Sequence, residues 1–318
     1  MKRLSIITPC YNEEANVEAC YQAVREIFAR TLPGYEYEHI FADNASIDGT
    51  VEILLRLAKQ DPRVKIIVNS HNVGPFRNTF NALKSTTGDG ILLLLAADLQ
   101  DPPELIPAFV REWEKGYKIV YGVRTNRQEK NWLRLARWAY YRLVRKFSHI
   151  DIPVDTGEFQ FIDRSVRDSL CATDDYYPYL RGMIAQTGLA SIGIPYQWGK
   201  RLHGKSRNNL YNLIDQALNG IISTTNVPMR ICTLIGLILA LCSVTYSLIQ
   251  FAINLIEWGA APPGIATLVT ALFFFGGVQL FFIGILGEYI TAIHSQLRRG
   301  PKLIETLRVN FDKDAANP

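Results

Sequence analysis

The chain has 318 residues, of which 48% are hydrophobic, and its formal net charge at neutral pH is +4. This length has room for one large domain with an appendage or for two modest domains. The five cysteines include no CxxC pair, which argues against a disulfide framework or a zinc site and fits a reducing compartment. The small net charge gives no reason to expect a nucleic-acid partner.

Strand-like and helix-like segments alternate along the first part of the chain. Strands are predicted at 4–8, 37–42, 64–69, 91–96 and 118–122, and helices at 12–30, 48–60, 75–86 and 103–115. This alternation predicts βαβ units and therefore an α/β fold with a mostly parallel, Rossmann-like sheet and helices on both faces. In such sheets ligands bind beyond the C-terminal ends of the strands, where the polar residues should meet in one crevice.

Two segments in the middle of the chain, 130–147 and 208–228, are interpreted as lying at or next to a membrane surface. Residues 130–147 alternate basic with aromatic or aliphatic side chains at roughly helical spacing, so they are predicted to form an interfacial helix on an anionic membrane. An ordinary surface helix is the alternative. Residues 208–228 are mildly amphipathic and are interpreted as a juxtamembrane helix. The apolar run at 4–8 is too short for a signal peptide, so we expect the bulk of the protein to stay where it is made.

Two long uncharged stretches lie near the C-terminus. As a helix, residues 231–256 would extend about 39 Å, against about 30 Å for the hydrocarbon core of a bilayer. We predict transmembrane helices over 229–256 and 264–291, joined by an external loop at 257–263 and followed by a cytoplasmic tail over 292–318. Basic residues flank this hairpin on its outer sides, which places both flanks in the cytoplasm by the positive-inside rule. A buried core helix is the alternative.

Seven motifs occur along the chain: TPCYNEE (8–14), FADNASIDGT (41–50), NVG (72–74), ADLQDPPE (97–104), YGVRTNRQ (121–128), DTGEFQFIDR (155–164) and RLHGKSR (201–207). Together they resemble the inverting family 2 glycosyltransferases, and most of all the polyprenyl- and dolichyl-phosphate sugar synthases. The resemblance covers nearly the whole chain, including both apolar spans. It implies a GT-A catalytic domain over 1–207 and a metal-dependent hexosyltransferase. The expected location is a bacterial inner membrane, with the catalytic domain facing the cytoplasm.

The resemblance also implies where the nucleotide sugar binds. The residues assigned to this site are Pro9, Tyr11, Glu13, Asp43, Ala97 and Asp98. A carboxylate can accept hydrogen bonds from a base or a ribose hydroxyl, and an aromatic ring can stack on the base. Asn12 and Asn44 are interpreted as turn-forming or helix-capping residues.

A divalent metal, Mg²⁺ or Mn²⁺, is expected at the ADLQD motif. Hard divalent ions prefer oxygen ligands, and the resemblance assigns Asp98 and Gln100 to the metal. The family usually reads Asp-Ala-Asp-Leu-Gln, whereas this chain has Ala96 in place of the first aspartate. The missing carboxylate is expected to weaken metal binding, to shift the balance between the two ions or to alter contacts to the ribose. An inactive relative is the alternative.

Several arginines in the motifs are interpreted as ligands of the phosphate groups of the two substrates. A phosphate monoester carries about −1.5 to −2 charge, and guanidinium groups bind such anions bidentately. The candidates for acceptor phosphate and donor diphosphate are Arg124, Arg127, Arg201 and Arg207. Glu158 stands where relatives often carry aspartate with a suspected base role. Because the acceptor oxygen is already anionic, Glu158 could instead orient an arginine or the sugar. Asp98, Arg124 and Glu158 are the catalytic candidates.

The predicted reaction is a single in-line displacement with inversion at the anomeric carbon. A polyprenyl phosphate, undecaprenyl phosphate by preference, attacks a nucleotide sugar, with UDP-glucose mildly preferred. The product would be a lipid-linked sugar donor for cell-envelope glycan modification. Three alternatives remain open: a processive polysaccharide synthase, a non-catalytic membrane scaffold and a transferase with a soluble acceptor. The resemblance also leaves a homo-oligomer open.

Overall fold

The computed structural model describes residues 1–93, 95–125, 156–173, 178–199, 265–297 and 303–311, with further helical residues between 229 and 249. Several predicted features lie outside these residues. They are the segments 130–147 and 208–228, the loop 257–263, and the arginines Arg127, Arg201 and Arg207.

The described residues form one eight-stranded sheet in the order β7-β5-β6-β4-β1-β2-β3-β8. The strands are β1 (Arg3–Cys10), β2 (Glu36–Asp43), β3 (Val64–Asn69), β4 (Gly90–Leu92), β5 (Ile119–Thr125), β6 (Thr156–Asp163), β7 (Ser191–Gln197) and β8 (Glu305–Val309). Parallel pairs join β1 to β2 and β4, β2 to β3, and β5 to β7, whereas β6 and β8 pair in the antiparallel sense. The predicted mostly parallel sheet is confirmed.

Helices cover both faces of the sheet, as predicted. They are α1 (Val17–Thr31), α2 (Thr50–Gln60), α3 (Pro75–Lys84), α4 (Ile106–Glu114), α5 (Arg164–Cys171) and α6 (Leu180–Gln186). A further helix, α7 (Ile265–Leu297), contributes no residue to the buried clusters that the described residues form on the sheet. Successive side chains of a strand point to opposite faces. Leu4 and Ile6 of β1 pack with α1 and α4, whereas Ile7 packs with α3, α5 and α6. Burying each such aliphatic side chain stabilises the fold by about 1.5–3 kcal/mol.

The strand predicted at 91–96 is shorter in the structure. β4 ends at Leu92, although Leu93 N still donates to Gln160 O at 2.8 Å and Leu95 N to Ile7 O at 2.9 Å. The chain therefore stays bonded to both neighbouring strands without a regular ladder. The ADLQD turn follows directly after this irregular segment.

One helix among the described residues is long and apolar enough to cross a membrane. Its window Phe274–Thr291 has a mean hydropathy of 1.4 and lies within α7, which continues to Leu297, beyond the end predicted for the second span. The described residues between 229 and 249 are helical, and the first predicted span stays a prediction.

The segment 292–318, predicted as a tail, contributes a strand to the catalytic sheet. β8 pairs with β3 in the register Ile66–Val309, Ile67–Arg308 and Val68–Leu307. Leu307 and Val309 pack against a buried cluster beneath this edge. A five-residue segment that alternates polar and apolar residues gives only a weak strand signal, which is why the sequence did not reveal it.

Candidate active site

The acidic motif forms a tight turn just after β4. Leu99 N donates to Ala96 O at 3.0 Å, and Leu99 has a φ of 55°. A leucine in the left-handed region costs of order 1–2 kcal/mol, and such strain concentrates at functional sites. Asp98 is only 5% exposed, and its Oδ1 accepts a hydrogen bond from Gln100 N at 3.2 Å. The turn therefore presents Asp98 and Gln100 together.

The oxygen atoms of this turn suit a divalent ion. Gln100 Nε2 donates to Gly199 O at 3.4 Å, which leaves Gln100 Oε1 without a hydrogen bond to the described residues. Within the described ranges, no three His, Cys, Asp or Glu side chains come together. The donor set is therefore one carboxylate and one amide oxygen. That set fits Mg²⁺ or Mn²⁺, which commonly take few protein ligands and complete their shell with water and phosphate oxygens.

Arg124, at the end of β5, forms a buried ion pair that the sequence did not predict. Its Nη2 donates to both carboxylate oxygens of Asp101, at 3.1 and 3.2 Å, and its Nε donates to Tyr196 Oη at 3.0 Å. The Tyr196 hydroxyl donates in turn to Asp101 Oδ1. Burial alone would lower the pKa of Arg124, but the charge of Asp101 and the hydrogen bonds to Tyr196 and Asp101 raise it overall, so the guanidinium stays charged.

Glu158 on β6 is close enough to Arg124 and Arg181 for their charges to act on its carboxyl group. Its Oε2 is shielded from solvent and has no hydrogen-bond partner among the described residues. Burial raises the pKa of Glu158, while the charges of Arg181 and Arg124 partly oppose this shift. A carboxylate whose one oxygen is buried and unpartnered is costly unless a ligand supplies a donor. The arrangement suits a residue that accepts a hydrogen bond from a bound substrate.

Replacing Glu158 by glutamine should stabilise the protein at high pH. Because its folded-state pKa lies above its unfolded value, Glu158 favours folding below the unfolded pKa, and this contribution is lost as the pH rises through the folded-state pKa. At pH 8 the variant should gain about 1 kcal/mol in free energy of unfolding, the usual scale for relieving a strained functional residue. Below about pH 4, where the wild-type carboxyl is neutral, the gain should vanish.

Thermal unfolding of both proteins at pH 4 and pH 8 measures this difference. The surface variant Glu26→Gln, whose side chain is 62% exposed, makes the same chemical change and serves as the control; it should show no such gain at pH 8. A Glu158→Gln variant that is less stable at pH 8 would mean that the carboxylate is satisfied in the folded protein.

The residues assigned to the nucleotide gather at the ends of β1 and β2. Pro9 lies opposite Ala42 in the parallel register, and Asp43 ends β2. The Asp43 carboxylate is fully buried and accepts hydrogen bonds from Ser46 N at 2.9 Å and Ser46 Oγ at 2.5 Å. Burial raises the pKa of Asp43, although the bonds from Ser46 oppose this. Here Asp43 shapes the loop that follows β2.

Asn12 and Asn44 hold the loops in which they lie, in agreement with the predicted turn-forming role. Asn12 has a φ of 55°, and its side-chain oxygen accepts from Ile47 N at 2.9 Å. Asn44 Oδ1 accepts from Val73 N at 3.0 Å, and its Nδ2 donates to Asn72 Oδ1 at 2.7 Å. These bonds tie the loops after β1, β2 and β3 into one wall of the crevice.

The remaining nucleotide candidates lie in the same region. Glu13 Oε2 accepts from Asn16 Nδ2 at 2.6 Å, and Tyr11 is half-buried in the loop before it. Ala97 is buried in the same cluster as Cys10, the last residue of β1. The acidic turn therefore lies beside the end of β1, next to the predicted nucleotide side.

The structure brings Asp98, Gln100, Arg124 and Glu158 into one region and adds residues that the sequence did not single out for a role. These are Asp101, Gly157, Arg181, Tyr196 and Trp198. Trp198 is 40% exposed, and its ring centroid lies 4.8 Å from Arg124 Cζ. Asp101 lies within ADLQDPPE and Gly157 within DTGEFQFIDR, and Tyr196 and Trp198 stand shortly before RLHGKSR, whereas Arg181 lies in none of the seven motifs.

The fold and the acidic turn at its ligand edge define a GT-A glycosyltransferase. Residues 5–170 match Glycosyl transferase family 2, and residues 227–293 match the GtrB C-terminal hairpin. The chain belongs to glycosyl transferase family 2, so the predicted family, fold class and transferase character are confirmed.

Relatives match the chain over nearly its whole length. It is 32% identical to the prophage bactoprenol glucosyl transferase homolog of Escherichia coli (strain K12), over 95% of this chain and 98% of that protein. It is also 32% identical to the uncharacterized glycosyltransferase YkcC of Bacillus subtilis (strain 168), over 94% of this chain and 92% of that protein.

A solved structure shares the fold. Glucosyl-3-phosphoglycerate synthase from Mycobacterium tuberculosis, in complex with Mn²⁺, uridine diphosphate and phosphoglyceric acid, has a TM-score of 0.50 and 20% identity to this chain. The match covers 70% of this chain and 76% of that one. At this level of identity the likeness concerns the fold alone.

Proposed function

We propose that this protein transfers a hexose from a nucleotide sugar to the phosphate of a polyprenyl lipid at the cytoplasmic face of a membrane. The observation that carries the proposal is the direct link between the acidic turn and the held arginine. Arg124 is hydrogen-bonded to Asp101, which follows Asp98 by three residues. The Cα atoms of Asp98 and Asp101 are therefore at most about 11 Å apart. One crevice thus offers a site for a metal-bound diphosphate and a cation for a second phosphate.

The identity of the substrates rests on the relatives. Proteins named bactoprenol glucosyl transferase align with almost the entire chain, including its hairpin region. We therefore assign glucose as the sugar, UDP-glucose as the preferred donor and undecaprenyl phosphate as the acceptor.

Asp98 and Gln100 Oε1 would hold Mg²⁺ or Mn²⁺. When bound, the ion supplies positive charge to the departing diphosphate. The relative of the same fold was solved with Mn²⁺, so both ions belong in the test. Ala96 leaves this site with one carboxylate fewer than the family pattern.

Arg124 and Glu158 would position the two substrates. Arg124 Nη1, which has no hydrogen bond among the described residues, is placed to bind an oxygen of the acceptor phosphate. Glu158 Oε2 is placed to accept a hydrogen bond from a sugar hydroxyl, because the anionic acceptor needs no base. Attack from the face opposite the leaving nucleotide inverts the anomeric centre. Holding both substrates in line contributes much of the rate.

β8 supports the membrane geometry. It starts beside the C-terminal end of β3, where Ser70 N donates to Ile304 O at 2.9 Å. Seven residues, 298–304, separate Leu297, the end of α7, from Glu305, and the eight Cα-to-Cα steps between these two residues reach at most about 29 Å. The ligand edge of the sheet must therefore stay near one end of the apolar helix. We infer a two-span anchor, with the catalytic unit comprising 1–207 and β8, on the cytoplasmic side.

The proposal is tested with membranes from cells expressing the chain and from cells lacking it. Each is incubated with undecaprenyl phosphate, Mg²⁺ or Mn²⁺, and one radiolabelled donor from a panel of UDP-sugars and GDP-mannose. The expected result is lipid-extractable label from UDP-glucose, present only with the chain and abolished by a chelator. Label in an insoluble polymer would indicate a processive synthase. Nucleotide binding without product from any donor would indicate a scaffold.

A further inference from the structure

The guanidinium of Arg124 contacts three further residues besides its ion-pair partner Asp101. Its Nε and Nη2 are bonded to Tyr196 and Asp101, and the Trp198 ring stacks on the guanidinium. The backbone of Gly157 also lies against it, because a β-carbon at that position would be 2.8 Å from Nη2. An exposed arginine side chain loses rotamer entropy when it is fixed. Here that cost is met during folding.

The contacts occupy one edge of the guanidinium and leave Nη1 for a ligand. Asp101 is 2% exposed, so it cannot be released easily to solvent when an anion arrives. The Tyr196 hydroxyl bridges both charged groups, donating to Asp101 Oδ1 and accepting from Arg124 Nε. It therefore fixes the angle between the carboxylate and the guanidinium.

We propose that Tyr196 is a positioning residue for the acceptor: its hydroxyl locks Arg124 against Asp101 so that Nη1 meets a phosphate monoester. This inference rests on the proposed function, which supplies the phosphate. Asp101 is a poorer test residue, because removing it leaves a buried unpaired arginine. Tyr196→Phe removes only the bridging oxygen and keeps the ring that packs against Phe159.

The test measures the affinity of the full-length protein for farnesyl phosphate, a short acceptor analogue, by calorimetry. Losing a hydrogen bond to a charged group should weaken the Kd of Tyr196→Phe about tenfold. The matched control is Tyr35→Phe, since Tyr35 also donates to a carboxylate, that of Glu114, away from the site. Its Kd should equal that of the wild type. An unchanged Kd in Tyr196→Phe overturns the proposal.

A second variant and a kinetic measurement separate positioning from general stability. Trp198→Leu removes the stacked ring, leaves both hydrogen bonds and should weaken the same Kd about two- to fivefold. In turnover assays Tyr196→Phe should raise the KM for undecaprenyl phosphate and leave the KM for the nucleotide sugar unchanged. Loss of folded protein would instead lower kcat with both KM values constant, and that result contradicts the proposal.

A double-mutant comparison completes the test. If Tyr196 acts through Arg124, Tyr196→Phe should weaken binding no further in an Arg124→Gln background. Additive losses would overturn the proposal. Because binding is measured without turnover, normal farnesyl phosphate binding with no sugar transfer would count against the proposed function and leave the positioning role standing.

Discussion

Replacing Asp98 by asparagine should lower kcat/KM about a thousandfold while leaving the fold intact. The change keeps the shape of the side chain and removes the only carboxylate proposed to hold the metal. The loss matches the scale of deleting one group that stabilises developing negative charge in an active site, about 10²–10³ in rate. The protein should also need much more Mn²⁺ for half-maximal activity, because a neutral amide is a weaker ligand.

Lipid-linked product formation, measured across a Mn²⁺ titration, checks this prediction. Asp168→Asn is the matched control, because the same change is made at a carboxylate on α5 whose side chain is 58% exposed. It should retain wild-type activity and metal dependence. If Asp98→Asn kept more than about a tenth of wild-type activity at the same Mn²⁺ concentration, the assignment of the metal to this turn would be wrong.

Replacing Gly157 by alanine should lower kcat/KM about a hundredfold. The added β-carbon would lie 2.8 Å from Arg124 Nη2 and 2.9 Å from Cζ, closer than non-bonded atoms tolerate. Arg124 cannot yield freely, because Asp101, Tyr196 and Trp198 hold it. The guanidinium must therefore shift, and a displacement of about 1 Å at a substrate-binding group can cost two orders of magnitude in rate.

Gly34→Ala is the control for this change, since a β-carbon at Gly34 meets no atom within 4 Å. Its activity should match that of the wild type. Gly157→Ala should add little to an Arg124→Gln variant, because both changes act on the same guanidinium. Full activity in Gly157→Ala would show that the position of Arg124 does not matter for the reaction.

The nucleotide half of the sheet could be predicted from local pattern. β3 has the predicted bounds, Val64–Asn69, because its apolar residues lie between clear turn signals. α1 begins at Val17 and not at Asn12, since the left-handed backbone of Asn12 and a turn at Glu13–Asn16 precede it. β6 and β7 were missed because TGEFQFID and SIGIPYQ interrupt their apolar residues with glycine, proline and polar side chains.

The site was predictable where a motif is contiguous and hidden where it depends on distant contacts. Asp98 and Gln100 stand in one motif, and Arg124 follows a predicted strand. The pairing of Arg124 with Asp101 spans 23 residues, and Tyr196 is 95 residues from Asp101. Local periodicity carries no information about such contacts, which arise only when β5, β7 and the acidic turn meet at one edge. The Glu158 oxygen that lacks a hydrogen-bond partner among the described residues likewise depends on packing.

The proposed reaction requires one crevice to hold a donor diphosphate beside an acceptor lipid phosphate, so that the sugar passes from the first to the second. The most direct test follows release of UDP from UDP-glucose by the purified full-length protein in lipid nanodiscs with Mn²⁺, with undecaprenyl phosphate compared with undecaprenol. Rapid UDP release is expected only with undecaprenyl phosphate, matched one to one by glucose on the lipid. Equal release with the two lipids, or release without lipid-linked glucose, would contradict the proposed reaction.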